Sequence, residues 1–293
     1  MFGEIFTVIA PVFVCAAIGF VWARARVPYE TEFVTRLVTN VGFPCLIFAS
    51  LVKVDLTPEL LGIMGFAALV TTAAFAVIGA VVLKILGADL RAFLNCMIFA
   101  NTGNMGLPLC LLAFGEEGLA LGVAYFTVNG TMTFIFGPAV ASGTANPKAV
   151  LKIPMVWAAL GGVAVKISAV PVPAWIMKTL DIVGAFPIPL MLITLGVSLA
   201  GLKVVHLGSS FGFALLRLTM GFGVGVLAAD LLGFEGAARG VVIIECAMPV
   251  AVFNFLYAQM YDNRPSEVAG TVVVSTVLSF LTLPALLWFV MGG

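Results

Sequence analysis

The chain has 293 residues, of which 62% are hydrophobic and only 10% are charged. This composition, with a mean hydropathy of +1.19, excludes an ordinary soluble domain and predicts an all-α polytopic membrane protein. The 14 basic and 14 acidic residues give a net charge of zero, and the sequence has no basic cluster of the kind that nucleic acid requires, which excludes nucleic acid as a partner.

Polar residues divide the apolar sequence into ten predicted membrane spans, at about 20 residues per crossing. The predicted spans cover residues 4–24, 33–52, 60–86, 92–114, 118–140, 151–169, 174–200, 207–232, 237–260 and 267–290. Lysine and arginine collect in the connections after odd-numbered spans, as with Arg24, Arg26 and Lys84. Because positive residues favour the cytoplasmic side, we expect a multi-pass protein of the plasma membrane, the bacterial inner membrane, with both termini on its outer side.

The fourth and ninth predicted spans are interrupted by residues that disfavour a continuous membrane helix. The fourth contains Gly103, Gly106 and Pro108, and the ninth contains Pro249. These residues free N–H and C=O groups that lipid cannot satisfy. Such a break persists only where it lines a cavity or a site, and we expect the two glycines to permit a close helix crossing.

Three pairs of prolines indicate that the two halves of the chain are repeats. Pro44 and Pro187 are 143 positions apart, Pro108 and Pro249 are 141 apart, and Pro138 and Pro284 are 146 apart. The predicted halves are residues 1–140 and 151–293, joined by a short cytoplasmic connection at 141–150. Because each half holds five spans, an odd number, the second copy is inverted. Inverted repeats with paired broken helices are typical of secondary transporters, whose site lies near the bilayer midplane.

The candidate substrate contacts lie at the two breaks. The exposed N-terminus of a half-helix presents N–H donors and the positive end of the helix dipole, which favour a carboxylate without a buried lysine. Asn101, Thr102 and Asn104 at the first break, and Asn254 at the second, are therefore predicted to contact substrate. The alternative interpretation is that these side chains only cap freed backbone groups.

Two further asparagines, Asn40 in the second predicted span and Asn129 in the fifth, are candidates for the substrate cavity. Each is equally consistent with a hydrogen bond between helices.

Glu245 and Arg217 lie within the ninth and eighth predicted spans. A carboxylate at the centre of a membrane helix costs about 2.5–3.5 kcal/mol, and its protonated form avoids that cost. Glu245 is therefore a candidate for proton coupling, together with Arg217. Two alternatives stay open: Glu245 coordinates sodium with carbonyl groups of the crossing, or it forms a structural ion pair with Arg217.

The sequence offers no parts for enzyme chemistry. It has one histidine and lacks the GxSxG, HExxH and GxxxxGK[ST] motifs, so hydrolytic, metal-dependent and ATP-driven mechanisms are not expected. Its five cysteines lie in apolar stretches without CxxC spacing, which indicates neither a disulfide framework nor a metal site. We expect no cofactor, only a coupling ion, H⁺ or Na⁺.

The broken segments carry a resemblance to a known family. The stretch Asn-Thr-Gly-Asn-Met-Gly-Leu-Pro at 101–108, followed by Phe114-Gly115, together with Ala247-Met248-Pro249 and the helix from Val272 to Pro284, resembles the auxin efflux carrier family. That family includes plant auxin carriers and bacterial permeases assigned to malate and malonate. The resemblance implies a homodimer with a ten-helix fold similar to bile-acid symporters and sodium/proton antiporters. It also implies a scaffold domain and a transport domain, each drawn from both repeats, with helices 4 and 9 broken, and substrate contact at Asn101 in particular.

The sequence therefore predicts a secondary transporter that moves a small organic anion by elevator-type alternating access. The expected substrate is a carboxylate such as malonate or malate, or an auxin-like molecule. Two other functions stay open: a cation/proton antiporter on the same fold, and a membrane sensor that binds ligand without transporting it. The expected partners are the substrate, membrane lipids and a second copy of the chain.

Overall fold

The fold is described from a computed structural model that covers residues 2–144, 151–168, 170–202 and 204–292. Most of the predicted connection at 141–150, and residue 169 at the end of the sixth predicted span, lie outside these residues. Within them the chain is helical and contains no strand, apart from one isolated pair of bridged residues.

Thirteen α-helices are found in the described parts of the chain. They are α1 (Phe2–Arg24), α2 (Thr31–Leu37), α3 (Phe43–Lys53), α4 (Pro58–Ile85), α5 (Leu90–Ile98), α6 (Leu107–Ser142), α7 (Pro154–Ser168), α8 (Ala174–Ala185), α9 (Pro187–Gly201), α10 (Leu207–Leu231), α11 (Gly236–Ala247), α12 (Val252–Met260) and α13 (Pro265–Met291). A π-helical turn at Val38–Gly42 joins α2 to α3, and another at Thr102–Gly106 leads into α6. Gly115, with φ at +64°, puts a sharp bend inside α6, and glycine adopts this conformation without a steric penalty.

Seven helical segments of the described chain are long and apolar enough to cross a membrane, which makes this a multi-pass membrane protein. They are Gly3–Arg24, Thr31–Lys53, Pro58–Ile85, Thr102–Ser142, Ala174–Gly201, Leu207–Leu231 and Pro265–Met291. The predicted number of ten stays a prediction. The difference has a physical origin: the breaks leave α5, α11 and α12 with only 9, 12 and 9 residues, α7 has 15 residues, and the segment Thr102–Ser142 holds parts of two predicted spans on either side of the non-helical Gly115.

The helices pack in two groups. In the first group α1 packs along α9, and α3 packs against α7 and α8. In the second group α4 packs against α5 and α6, α10 packs against α11 and α13, and α11 also contacts α6. The groups meet mainly where α6 contacts α1 and α3. Both interrupted helices, α5 with α6 and α11 with α12, belong to the second group.

Two glycines allow the backbones of α1 and α9 to touch where these helices cross. A methyl group added at Gly196 would overlap the backbone carbonyl of Ala16, and one added at Gly19 would overlap the carbonyl of Ile193. Small residues at such crossings let helix backbones approach closely in membranes. The first group of helices therefore depends on these two positions.

We predict that Gly196→Ala destabilises the protein by about 1–3 kcal/mol, because the added methyl must push two backbones apart. Thermal unfolding of the detergent-purified protein measures this as a lower melting temperature. Gly62→Ala in α4 is the matched control, since an added methyl there meets no atom within 4 Å. Equal melting temperatures for the two variants would contradict the close crossing.

Candidate functional site

The two predicted breaks cross each other in the structure. Ala100 and Val250 form an antiparallel bridge. The Asn101 N–H donates to the Pro249 carbonyl at 2.8 Å, and the Ala251 N–H donates to the Phe99 carbonyl at 3.2 Å. Each break thus satisfies backbone groups of the other, as a non-helical segment at membrane depth requires.

Side chains complete this backbone pairing. The Asn254 side-chain amide donates from Nδ2 to the Phe99 carbonyl at 2.9 Å, and the Val250 N–H donates to Ser275 Oγ of α13 at 3.1 Å. Asn254 is buried, and its Oδ1 has no hydrogen-bond partner. Its amide N–H therefore holds the crossing together, as the capping alternative expects, while its oxygen stays free.

The first break presents unused donors. The Asn101 carbonyl accepts from the N–H groups of Met105 and Gly106, both at 3.2 Å, which starts the π-helical turn. Within the described chain, the N–H groups of Thr102, Gly103 and Asn104 make no hydrogen bond, as expected in the first turn of a helix. The buried Asn101 Nδ2 also has no partner.

Two neighbouring cavities adjoin these donors. A cavity of about 30 Å³ is lined at the first break by Asn101, Thr102, Gly103 and Asn104. A larger cavity of about 160 Å³ extends between the first break, α2, α9 and α12, and its polar lining residues are Thr31, Thr35, Asn104, Thr194 and Ser198. Both cavities contact Asn104, Met191 and Phe253, and neither is lined by a charged residue.

The hydroxyl groups of the larger cavity were not among the predicted site residues. Thr31 and Thr35 are four positions apart on α2, as are Thr194 and Ser198 on α9, a spacing that places two side chains on one face of a helix. This spacing is a weak signal in a sequence, because hydroxyls within helices commonly bond their own backbone, as Thr194 Oγ1 does with the Leu190 carbonyl at 2.7 Å.

Thr102 and Asn129 are brought together, behind the break. Thr102 Oγ1 donates to Asn129 Oδ1 at 3.2 Å, and Asn129 Nδ2 donates to Thr72 Oγ1 of α4 at 3.1 Å. All three side chains are buried. Asn129 therefore links helices, as its alternative interpretation expects, and does not line either cavity.

Asn40 lies apart from the other predicted residues. It is exposed, and its Nδ2 donates to the Arg36 carbonyl at 2.8 Å. The neighbouring Thr39 and Phe43 line the smaller cavity instead. Asn40 therefore lines neither cavity.

Gly103, Gly106 and Pro108 allow close packing at the break. Gly103 faces the ring of Phe126, and a methyl group added at Gly106 would overlap the Glu245 carboxyl group. Pro108 lies at the start of α6, directly after the π-helical turn, where it has no N–H to donate to a carbonyl of that turn.

Glu245 is fully buried next to the first break. Cys110 Sγ donates to Glu245 Oε1 at 3.6 Å, and Oε2 has no hydrogen-bond partner. Besides Gly106, the carboxyl group lies against Gly122 of α6. Among the described residues no basic side chain forms an ion pair with it.

Arg217 is also fully buried and binds backbone carbonyls instead of Glu245. Its Nη1 donates to the Met97 carbonyl at 2.9 Å and its Nη2 donates to the Cys246 carbonyl at 2.8 Å. Its guanidinium carbon lies 4.3 Å from the centre of the Phe75 ring. The structural ion pair with Glu245, one of the alternatives from sequence, is therefore not formed.

Nothing at the crossing suggests a metal centre. In the part of the chain that the structure describes, no three histidine, cysteine, aspartate or glutamate residues lie close enough to hold a metal ion.

Comparisons with known proteins agree with a membrane carrier. A family model described as membrane transport protein matches residues 4–141 and 139–287. An uncharacterized transporter of Methanothermobacter thermautotrophicus is 27% identical over 89% of each chain, and one of Methanocaldococcus jannaschii is 24% identical over 73% of each. A "putative malonate transporter" of Rhizobium meliloti is 23% identical over 67% of this chain and 65% of its own.

We predict that Asn254→Ala destabilises the protein by about 0.5–1.5 kcal/mol, because it removes one of the two donors to the Phe99 carbonyl. Thermal unfolding in detergent measures the loss. Gln259→Ala is the control, since Gln259 is an exposed amide on the same helix, α12, and we expect less than about 0.5 kcal/mol there. If both variants have the melting temperature of the wild type, the Asn254 hydrogen bond does not stabilise the crossing.

Proposed function

This chain belongs to the membrane transport protein family, the auxin efflux carrier family that its sequence resembles, and we propose that it is a secondary transporter of a small organic anion. Its family and its relatives are membrane transporters and not enzymes, and they indicate no cofactor.

The observation that carries the proposal is the set of unused donors at the first break. The Asn101 Nδ2 is buried without a partner, and it lines a cavity together with the opening turn of a helix. Unpaired buried donors are costly, and helix N-termini favour negative charge. A carboxylate bound at Asn101 and Asn104 would satisfy these donors. The absence of charged residues from the cavity lining fits recognition by hydrogen bonds.

Malonate and malate are the first substrates to test. The larger cavity holds only about 160 Å³, and four hydroxyl groups and the Asn104 amide stand among its seven apolar lining residues, which suits a short carboxylate with more than one oxygen-bearing group. The relative named for malonate, although only 23% identical, supports the same choice. An aromatic carboxylate resembling auxin is the comparison substrate.

We assign ion coupling to Glu245. Its carboxyl group is fully buried and has one oxygen without a hydrogen-bond partner. Because a charged carboxylate is costly at membrane depth, a proton is the coupling ion that fits these surroundings. Sodium fits them less well, since hard cations require several oxygen ligands and the carboxyl group contacts glycines and a thiol.

We propose that transport proceeds by elevator-type movement of the second helix group against the first. In the proposed arrangement, ten spans form two inverted five-helix repeats, residues 1–140 and 151–293, with both termini on the outer side of the plasma membrane. The first group acts as a scaffold that forms the homodimer. Residues of both groups line the larger cavity, namely Thr194 and Ser198 from the first and Asn104 from the second, so a relative movement would open or close it.

We predict that Asn101→Ala raises the KM for the transported anion about ten- to 150-fold, the effect of losing a hydrogen bond to a charged group. The measurement is uptake of radiolabelled malonate, malate and an aromatic carboxylate into proteoliposomes. Gln259→Ala should keep the wild-type KM. If the folded wild-type protein takes up none of these anions, the anion proposal fails. Cation/proton antiport and ligand sensing without transport are then the remaining functions.

We predict that Glu245→Gln abolishes the stimulation of uptake by an imposed pH gradient while anion exchange continues, because glutamine cannot release a proton. The control is Glu59→Gln, which changes an exposed glutamate and should leave the stimulation intact. Parallel assays with a sodium gradient test the other coupling ion. A full pH response in Glu245→Gln would refute the coupling role.

A further inference from the structure

Arg217 is a buried positive charge without a carboxylate partner. It is fully buried, and in the described chain its guanidinium forms no ion pair. Burying an arginine in a membrane protein is expensive, and such residues are commonly functional. The free-energy cost of burying this charge therefore has to be offset by the groups that Arg217 contacts.

These groups are the C-terminal ends of two half-helices. The Met97 carbonyl lies in the last turn of α5, and the Cys246 carbonyl lies in the last turn of α11. Each accepts a hydrogen bond from a different nitrogen of the same guanidinium, at 2.9 and 2.8 Å. The C-terminal end of a helix carries partial negative charge, so one arginine binds and is stabilised by both ends where the interrupted helices cross.

The crossing consequently has a charge that depends on Glu245. Arg217 and Glu245 are the buried charged side chains of the described chain. The titratable groups that face them are the thiols of Cys96, Cys110 and Cys246 and the phenol of Tyr125, which are neutral near pH 7. The formal charges of these side chains therefore sum to zero when Glu245 is ionised and to +1 when it holds a proton.

We propose that Arg217 is a positioning residue that joins the two half-helices and keeps a positive charge beside the anion site, so that the anion and the Glu245 proton bind together. This inference rests on the proposed function and deepens it to proton–anion symport. Thermodynamic linkage gives the direction: protonation of Glu245 strengthens anion binding, and the anion favours protonation by the same factor.

Chain connectivity places Arg217 in the neighbourhood of the first break. Arg217 bonds the Met97 carbonyl, and Met97 precedes Asn101 by four residues, so the Cα atoms of Met97 and Asn101 are at most about 14 Å apart. For a charge about 14 Å from an anion, with an effective dielectric constant of about 20, Coulomb's law changes the affinity roughly five- to tenfold. This effect is large enough to be measured as a change in KM.

The test compares Arg217→Met, which removes the charge, with Arg217→Lys, which keeps the charge but loses the two-pronged contact. In malonate uptake assays Arg217→Met should raise KM roughly five- to tenfold, whereas Arg217→Lys should stay within about twofold of the wild type. Both variants should melt at lower temperature, because neither side chain bonds both carbonyls. KM thus follows charge and stability follows geometry, a separation that a purely structural role would not produce. Arg24→Met, which removes an exposed arginine, is the control.

The pH dependence supplies a second measurement that does not need Arg217→Met to fold. In the wild type the KM for malonate should fall as the pH is lowered. In Glu245→Gln, where the net charge is always +1, it should stay low at every pH. If Arg217→Met keeps the wild-type KM, or a folded Arg217→Lys raises KM fivefold or more, the charge role of Arg217 is refuted while anion transport stands. If the wild type transports no anion, the proposed function itself fails.

Discussion

The structure depends on one constraint: backbone groups freed inside a membrane must find partners within the protein. Neither broken helix satisfies this requirement alone. The Phe99 carbonyl of the first break accepts from both the Ala251 N–H and the Asn254 amide of the second, and the Asn101 N–H returns a hydrogen bond to Pro249. Because each break supplies partners to the other, the crossing forms as a unit and brings distant parts of the chain into contact.

The crossing uses its acceptors and its donors differently. The C-terminal carbonyls of α5 and α11 converge on Arg217. The unused N–H groups of the first break and the Asn101 amide adjoin small cavities that are lined by no charged residue. Glu245 and Arg217 are fully buried and line neither cavity. In a medium of low dielectric, a charge in that position still acts on a bound anion over many ångströms.

The proposed mechanism requires the two helix groups to move relative to each other. The larger cavity is lined by Thr194 and Ser198 from one group and by Asn104 and Phe253 from the other. In the proposed mechanism the crossing travels with its own helices, since its hydrogen bonds lie within the second group. The hydroxyl groups of α9 would stay with the scaffold and exchange partners during transport.

The sequence by itself determined the membrane setting and the positions of both breaks, because apolar composition, proline and glycine act locally on hydration and helix formation. It also indicated Asn101 and Glu245, since polar groups in apolar spans require a reason. Only the tertiary structure decided which groups they meet. Arg217 bonds two carbonyls and not Glu245. Which of these groups it meets depends on how α10 is rotated against α5 and α11. Thr39, and not Asn40, lines the cavity, where a π-helical turn changes the regular helical periodicity that sequence reasoning assumes.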